Sequence, residues 1–189
     1  VTHSEDMSQS DHREAKPVYD IDEVELVAAI DGLTKGKDMG SFELDGTPTF
    51  TTGCTIGSFT DEDALEQELS AAQAKIDAGA SFVITPPVFD LENFKTFMDK
   101  IEPLSVPVIP TVFLIKSLAI AQYIAASEPE ANISDDLIRR IRKSSDRELE
   151  GIKIAGETLV GIKEMAQGVM LQTLGWEHKL PEILDAAGM

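Results

Sequence analysis

Basic charge is what this sequence most lacks: 16 Lys and Arg stand against 34 Asp and Glu, a formal net charge of −18. A chain so poor in cations has no excess to release the counterions that drive phosphate-backbone binding, so nucleic acid is not an expected partner. The acidity reads as a solvated surface, a bias that a salt-adapted source also produces. Cysteine is nearly absent too. Cys54 stands alone, which excludes an internal disulfide, and with only His3, His12 and His178 beside it no metal cluster forms at ligand spacing. Long apolar runs are missing as well. None approaches the roughly 18 to 20 residues that span a bilayer. The first segment, "VTHSEDMSQSDHREAKPVYD", has no signal-peptide apolar core, so a soluble, cytoplasmic protein with no membrane partner is expected.

What is present is a globular chain: 42% hydrophobic residues and a mean hydropathy near zero. Asp20 precedes Val24, Val27, Ile30 and Leu33, a spacing that predicts a helix capped by the Asp20 carboxylate. "TKGKDMGSFELDGTP" follows as a Gly-rich connection, and β-branched residues predict a strand over 49–56. Thr60, with acidic residues at 61, 62 and 63, predicts a helix start, and Leu65, Leu69, Ala72 and Ile76 carry that helix to Gly79. The unit then repeats. Strands are predicted over 82–85, 106–115 and 168–172. Helices are expected after Asp90, Ser117 and Ser134, along Ile152 to Ile162, and at the closing "LPEILDAAGM".

Helices alternating with short, continuously apolar strands predict an α/β protein with a parallel sheet. Such a sheet is either open and doubly wound or closed as a barrel. No Gly-x-Gly-x-x-Gly follows any strand, which removes the main dinucleotide-fold signal. Four strands are counted, with Val1-Thr2 as the tail of another. A closed barrel needs eight, so a barrel reading makes 1–189 one domain holding the C-terminal half, strands five to eight.

"KIDAGASFVITPPVFDLENFKTFMDKI", the following "VPVIP" and the closing "GVMLQTLGWEHKLPEIL" resemble the methylenetetrahydrofolate reductases, flavoprotein (β/α)8 barrels of one-carbon metabolism and methionine biosynthesis. "AKPVYDIDEVELVAAI" and "FTTGCTIGSFTDEDALEQE" are similar to that family's segments around its fifth strand. The resemblance implies FAD at the strand ends, NAD(P)H as reductant, and a folate-type small molecule as substrate. It places Lys75 at the FAD phosphates and Glu68 and Thr55 against the same cofactor, with Asp6 the acid nearest in the chain to the position of the family's flavin-side aspartate. Read without it, Lys75 and Glu68 are solvated helix residues and Thr55 fills a strand.

The substrate side departs from the family. Pro86 stands where a glutamine binds the pterin or nicotinamide, and proline offers only its carbonyl. Leu118 replaces the aromatic that stacks the folate, Pro110-Thr111-Val112 replaces Pro-Gly-Ile, and Met170 replaces a histidine. The family's acidic proton donor lies on its first strand, outside this sequence, so the catalytic residue is unassigned. Two other expectations follow: a non-catalytic binding or assembly subunit, or a reductase for a different pterin carrier. A half barrel exposes two sheet edges, so a homo-oligomer or a second chain completing it is expected. Elsewhere, Cys54 is expected buried and inert, Trp176 in packing, His178 and Glu177 unpaired with each other, and Arg139 to Lys143 in helix ion pairs.

Overall fold

Parallel strands need crossovers, and the apolar strand segments of this chain are each followed by a helix. The computed structural model describes residues 1, 14, 16, 18–57, 62–127 and 131–189. Its elements run α1 (Glu23–Thr34), β1 (Cys54–Thr55), α2 (Glu62–Asp77), β2 (Val83–Pro87), α3 (Leu91–Ile101) and β3 (Val108–Phe113). They continue with α4 (Leu118–Ser127), α5 (Asp135–Lys143), α6 (Arg147–Ile162), β4 (Met170–Gln172) and α7 (Leu180–Ala186). The four strands form one parallel sheet in the order β1-β2-β3-β4. Among the described residues the order never reverses, and no topological switch point occurs.

Helix starts follow the chain's own acids and hydroxyls. Asp90 accepts from Glu92 and Asn93, Ser117 from Ile120, Ser134 from Leu137 and Asp146 from Leu149. For α1 the cap is Asp22 rather than the expected Asp20, because Asp22 and Glu25 close a reciprocal capping box at 2.8 and 2.9 Å. Thr60 lies outside the described residues. Gly79, at φ +126°, ends the turn after α2 in a conformation only glycine adopts easily.

Two apolar clusters hold the layers together. The larger gathers Cys54, Val83, Val108 and Val112 from the sheet with Leu65 and Ala72 of α2, Phe94 and Phe97 of α3, and Ile152 and Leu159 of α6. Full burial of each phenylalanine contributes about 1.5–3 kcal/mol. The smaller packs Phe113 and Ile115 against α4, α5 and Ile154. Helix α6 crosses β3 so closely that a Cβ at Gly151 would lie 2.0 Å from the Ile115 carbonyl oxygen.

Strand lengths differ from expectation for identifiable reasons. β1 pairs at only two positions, Cys54 with Val83 and Thr55 with Ile84, although the extended arm from Thr52 to Ile56 keeps bonding its neighbour beyond them. β2 instead runs past Thr85 through Pro86 and Pro87, across a register shift against β3. Prolines are tolerated there because the missing donors are replaced or face away. The Thr111 hydroxyl donates to the Thr85 carbonyl at 2.7 Å, Val88 N–H takes the Thr111 carbonyl, and the Thr85 hydroxyl donates to the Pro86 carbonyl at 2.8 Å. The register shift between Ile84 and Pro87 breaks the simple alternation: Pro87 pairs with Thr111, and β2 runs on through Pro86 and Pro87 where β1 has already ended.

Candidate functional site

Ligands of parallel α/β sheets collect at the carboxyl ends of the strands, where loops and helix starts leave polar groups free. At that end of β1 the structure brings Thr55, Glu68 and Lys75 together. Glu68 and Lys75 lie seven residues apart, two turns along α2, and so share a face. The Lys75 ammonium donates to the Thr55 carbonyl at 3.2 Å and pairs with the Glu23 carboxylate from the first turn of α1. Only 7% of Lys75 is exposed, which corrects the expectation of a solvated helix lysine. The reason is that α1 packs on α2 and covers it.

Glu68 is corrected likewise. It is half-buried and its carboxylate accepts the Gly57 N–H at 2.9 Å, pinning the loop that leaves β1. A Cβ at Gly57 would lie 2.9 Å from Glu68 Cδ, so glycine is what lets the carboxylate approach. Cys54 is buried beside this cluster. Burial pushes its thiol up from the ordinary value more than the nearby Lys75 charge lowers it, which leaves it a packing residue. Asp6, the fourth expected cofactor residue, lies outside the described residues.

The middle of the rim is built from Pro86 and the Thr85–Thr111 pair. Pro86 is half-buried, the Thr111 hydroxyl is spent in bonding β3 to β2, and the Thr85 hydroxyl is spent on the Pro86 carbonyl. The β2 end therefore presents no donor from these side chains. Leu118, at the start of α4, is partly buried against the smaller apolar cluster, and Met170 is 37% exposed at the start of β4.

Beyond β3 stands a group that the sequence reading missed. Lys116 donates to the Leu174 carbonyl in the loop after β4, and its ammonium lies 4.8 Å from the centre of the Trp176 ring. That loop is fixed from within. Leu174 and Gly175 both take positive φ, 47° and 81°, and the Glu177 carboxylate accepts from the Thr173 hydroxyl and the Gly175 N–H. Its own backbone N–H first, and then the Thr173 and Gly175 bonds, hold the Glu177 carboxyl below its ordinary range. Trp176 packs against the larger cluster as expected. The signal that could have revealed Lys116 is a cation placed just past the end of an apolar strand. For Glu23 no such signal exists, because its partner is reached only through the fold.

Within the basic run 139–143, Arg139 pairs with Asp136, and Arg140 with Glu150 and with Glu157. A surface groove of about 400 Å³ lies between α6 and α7, lined by Leu149, Ile152, Glu157, Glu182 and Asp185 among others. It contains none of the residues at the strand ends, and the convergent polar groups rather than this concavity mark the candidate site. Among the described residues no group of three or more His, Cys, Asp or Glu is placed to hold a metal ion, and no helix is long and apolar enough to cross a membrane.

A family model described as methylenetetrahydrofolate reductase matches residues 6–188. Methylenetetrahydrofolate reductase 1 of Schizosaccharomyces pombe (strain 972 / ATCC 24843) is 25% identical over 116 residues, 59% of this chain and 16% of that protein's length. The chain thus spans a small part of the curated relative that it matches. A solved structure of an uncharacterized Clostridium thermocellum protein, which binds two copies of 5-methyl-5,6,7,8-tetrahydrofolic acid, aligns with a TM-score of 0.47 at 16% identity, covering 65% of this chain and 47% of that one.

Proposed function

The chain belongs to the methylenetetrahydrofolate reductase family, and from that premise we propose that it forms the C-terminal half of a (β/α)8 barrel that reduces a folate-bound one-carbon unit. The observation that carries the reading is the convergence of Thr55, Glu68 and Lys75, three residues from two elements, on the carboxyl end of β1. A strand order that never reverses supports the barrel over a doubly wound sheet.

The fit to FAD is tested by the anion already in place. A carboxylate oxygen sits on Lys75, so this position accepts an oxyanion, and a phosphate oxygen has the same chemistry. Lys75 would hold the diphosphate as a point charge, the Thr55 carbonyl would orient the ammonium, and Glu68 would keep the Gly57 backbone in register beneath it. The chemistry supplied by a flavin bound there is hydride acceptance from NAD(P)H and hydride delivery to 5,10-methylenetetrahydrofolate, giving 5-methyltetrahydrofolate. Around the reacting centre this chain contributes mainly shape. Pro86, Leu118 and Met170 offer apolar side chains, and no proton donor is assigned among them.

The spent hydroxyls of Thr85 and Thr111 and the missing amide at Pro86 favour a second reading, a binding or assembly subunit of the same fold that has lost catalysis. One experiment separates the two. The protein is purified from its native source with everything that co-elutes, then assayed for flavin absorbance, for NAD(P)H-dependent reduction of methylenetetrahydrofolate, and for calorimetric binding of 5-methyltetrahydrofolate. Flavin, turnover and binding together are the expected result. Folate binding without flavin or turnover selects the binding subunit, and absence of all three overturns both.

A further inference from the structure

Lys75 is a cation placed where a cation is costly. With 7% of the residue exposed, its charge needs a counter-charge as well as hydrogen-bond acceptors. The Thr55 carbonyl supplies an acceptor but no charge. The charge comes from Glu23, on another helix, and there the arrangement is asymmetric. The Glu23 side chain keeps 23% of its surface exposed against 9% for that of Lys75, so solvent reaches the anion of the pair more readily than the cation. Glu23 also opens α1, where the free N–H groups favour negative charge with or without Lys75. Asp22 and Glu25 share that helix start, adding negative charge to the end of α1 that bears Glu23.

We propose that Glu23 is a built-in competitor for Lys75: a phosphate-bearing ligand binds at the carboxyl end of β1 by taking the place of the Glu23 carboxylate, which sets its affinity and frees the start of α1 from α2. The kind of ligand rests on the reading of this rim as a cofactor site, whereas the exchange of one oxyanion for another rests on the Glu23–Lys75–Thr55 geometry. No bond is made or broken. One ion pair replaces another, and Glu23 passes to water.

Inorganic pyrophosphate is the probe, titrated at fixed ionic strength against the thermal unfolding of the full chain, of E23Q and of E23Q/K75M. Removing the competing charge is expected to tighten pyrophosphate binding by about tenfold, and removing Lys75 as well to abolish the response. Equal affinity of wild type and E23Q overturns the proposal. So does a response that survives in E23Q/K75M, since the anion is then held elsewhere. Should E23Q fold only with pyrophosphate present, that rescue supports the exchange; if pyrophosphate fails to rescue it while E23Q/K75M folds, the exchange is refuted. Amide hydrogen exchange on the wild-type chain needs no variant: saturating pyrophosphate is expected to speed exchange in the first turn of α1, and unchanged or slowed exchange there overturns the proposal. A failure here with flavin still present in the native protein removes the competition alone. A flavin-free native protein whose E23Q variant gains pyrophosphate binding removes the cofactor reading alone.

Discussion

Lys75 and Lys116 do the same thing on opposite sides of one rim. Each sends its ammonium to a backbone carbonyl at a strand's exit, Thr55 as the last residue of β1 and Leu174 in the loop after β4. Their surroundings differ. Lys75 is covered by α1 and is neutralised by a carboxylate, whereas Lys116 is only partly covered and lies over the face of Trp176. A buried cation depends on its partner for its whole solvation, while an exposed one is solvated by water and gains a small increment from the ring. The same hydrogen bond therefore implies different consequences when the lysine is removed.

The largest expected effect is at β1. Lys75→Met breaks a mostly buried ion pair between α1 and α2 and is expected to destabilise the fold by about 3 kcal/mol, read as a lower urea midpoint at unchanged slope. A loss below about 1 kcal/mol would place Lys75 in the same class as a surface ion pair and erase the contrast.

Lys116→Met is expected to cost far less, about 0.5–1 kcal/mol. It has its own reporter. Trp176 is the only tryptophan, so a change in its fluorescence with little change in midpoint identifies the loss of the cation over the ring. A cost equal to that of Lys75→Met would mean that the loop after β4 is part of the core and not its margin.

The smallest effect belongs to the ion pairs on the helical surface, which should behave as Lys116 does. The Glu157 carboxyl is held below its ordinary value of 4.5, first by the hydrogen bond from Arg140. A carboxyl depressed in the folded state contributes stability that is present above the ordinary value and lost as pH falls through the folded one. Wild type is thus expected to exceed Glu157→Gln by about 0.5 kcal/mol near neutrality. The difference should vanish as pH drops below 4.5 and shrink in high salt, both measured by thermal unfolding across pH. A difference that persists in acid would assign the effect of Glu157 to packing.

Much of the frame was legible because it is written locally. Asp90, Ser117 and Ser134 cap the helices that their spacing announces, and Phe94, Phe97 and Ile101 fall on the buried side of α3 as their period requires. Asp20 and Asp22 look alike in sequence. Only the reciprocal bond to Glu25 separates them, and that depends on where the chain turns into α1. The site was less legible, since the roles of its residues come from partners far along the chain. Nothing near Lys75 in sequence tells that α1 will cover it. The β2 end was misjudged in length because two prolines normally close a strand, and the hydroxyl of Thr111, on the neighbouring strand, supplies the bond that keeps this one going.

The run of Pro86 and Pro87 past the end of β1 has a consequence for how the molecule behaves in company. A strand that outlasts its neighbour ordinarily offers a ladder of unmet N–H groups, a template onto which the strand of another molecule can zip. Here the last two residues of β2, Pro86 and Pro87, have no N–H to offer, and their rings stiffen the backbone into a single path. The protruding end of β2 is sealed against lengthening the sheet, so that association through this stretch must proceed by side-chain packing and not by stolen backbone bonds.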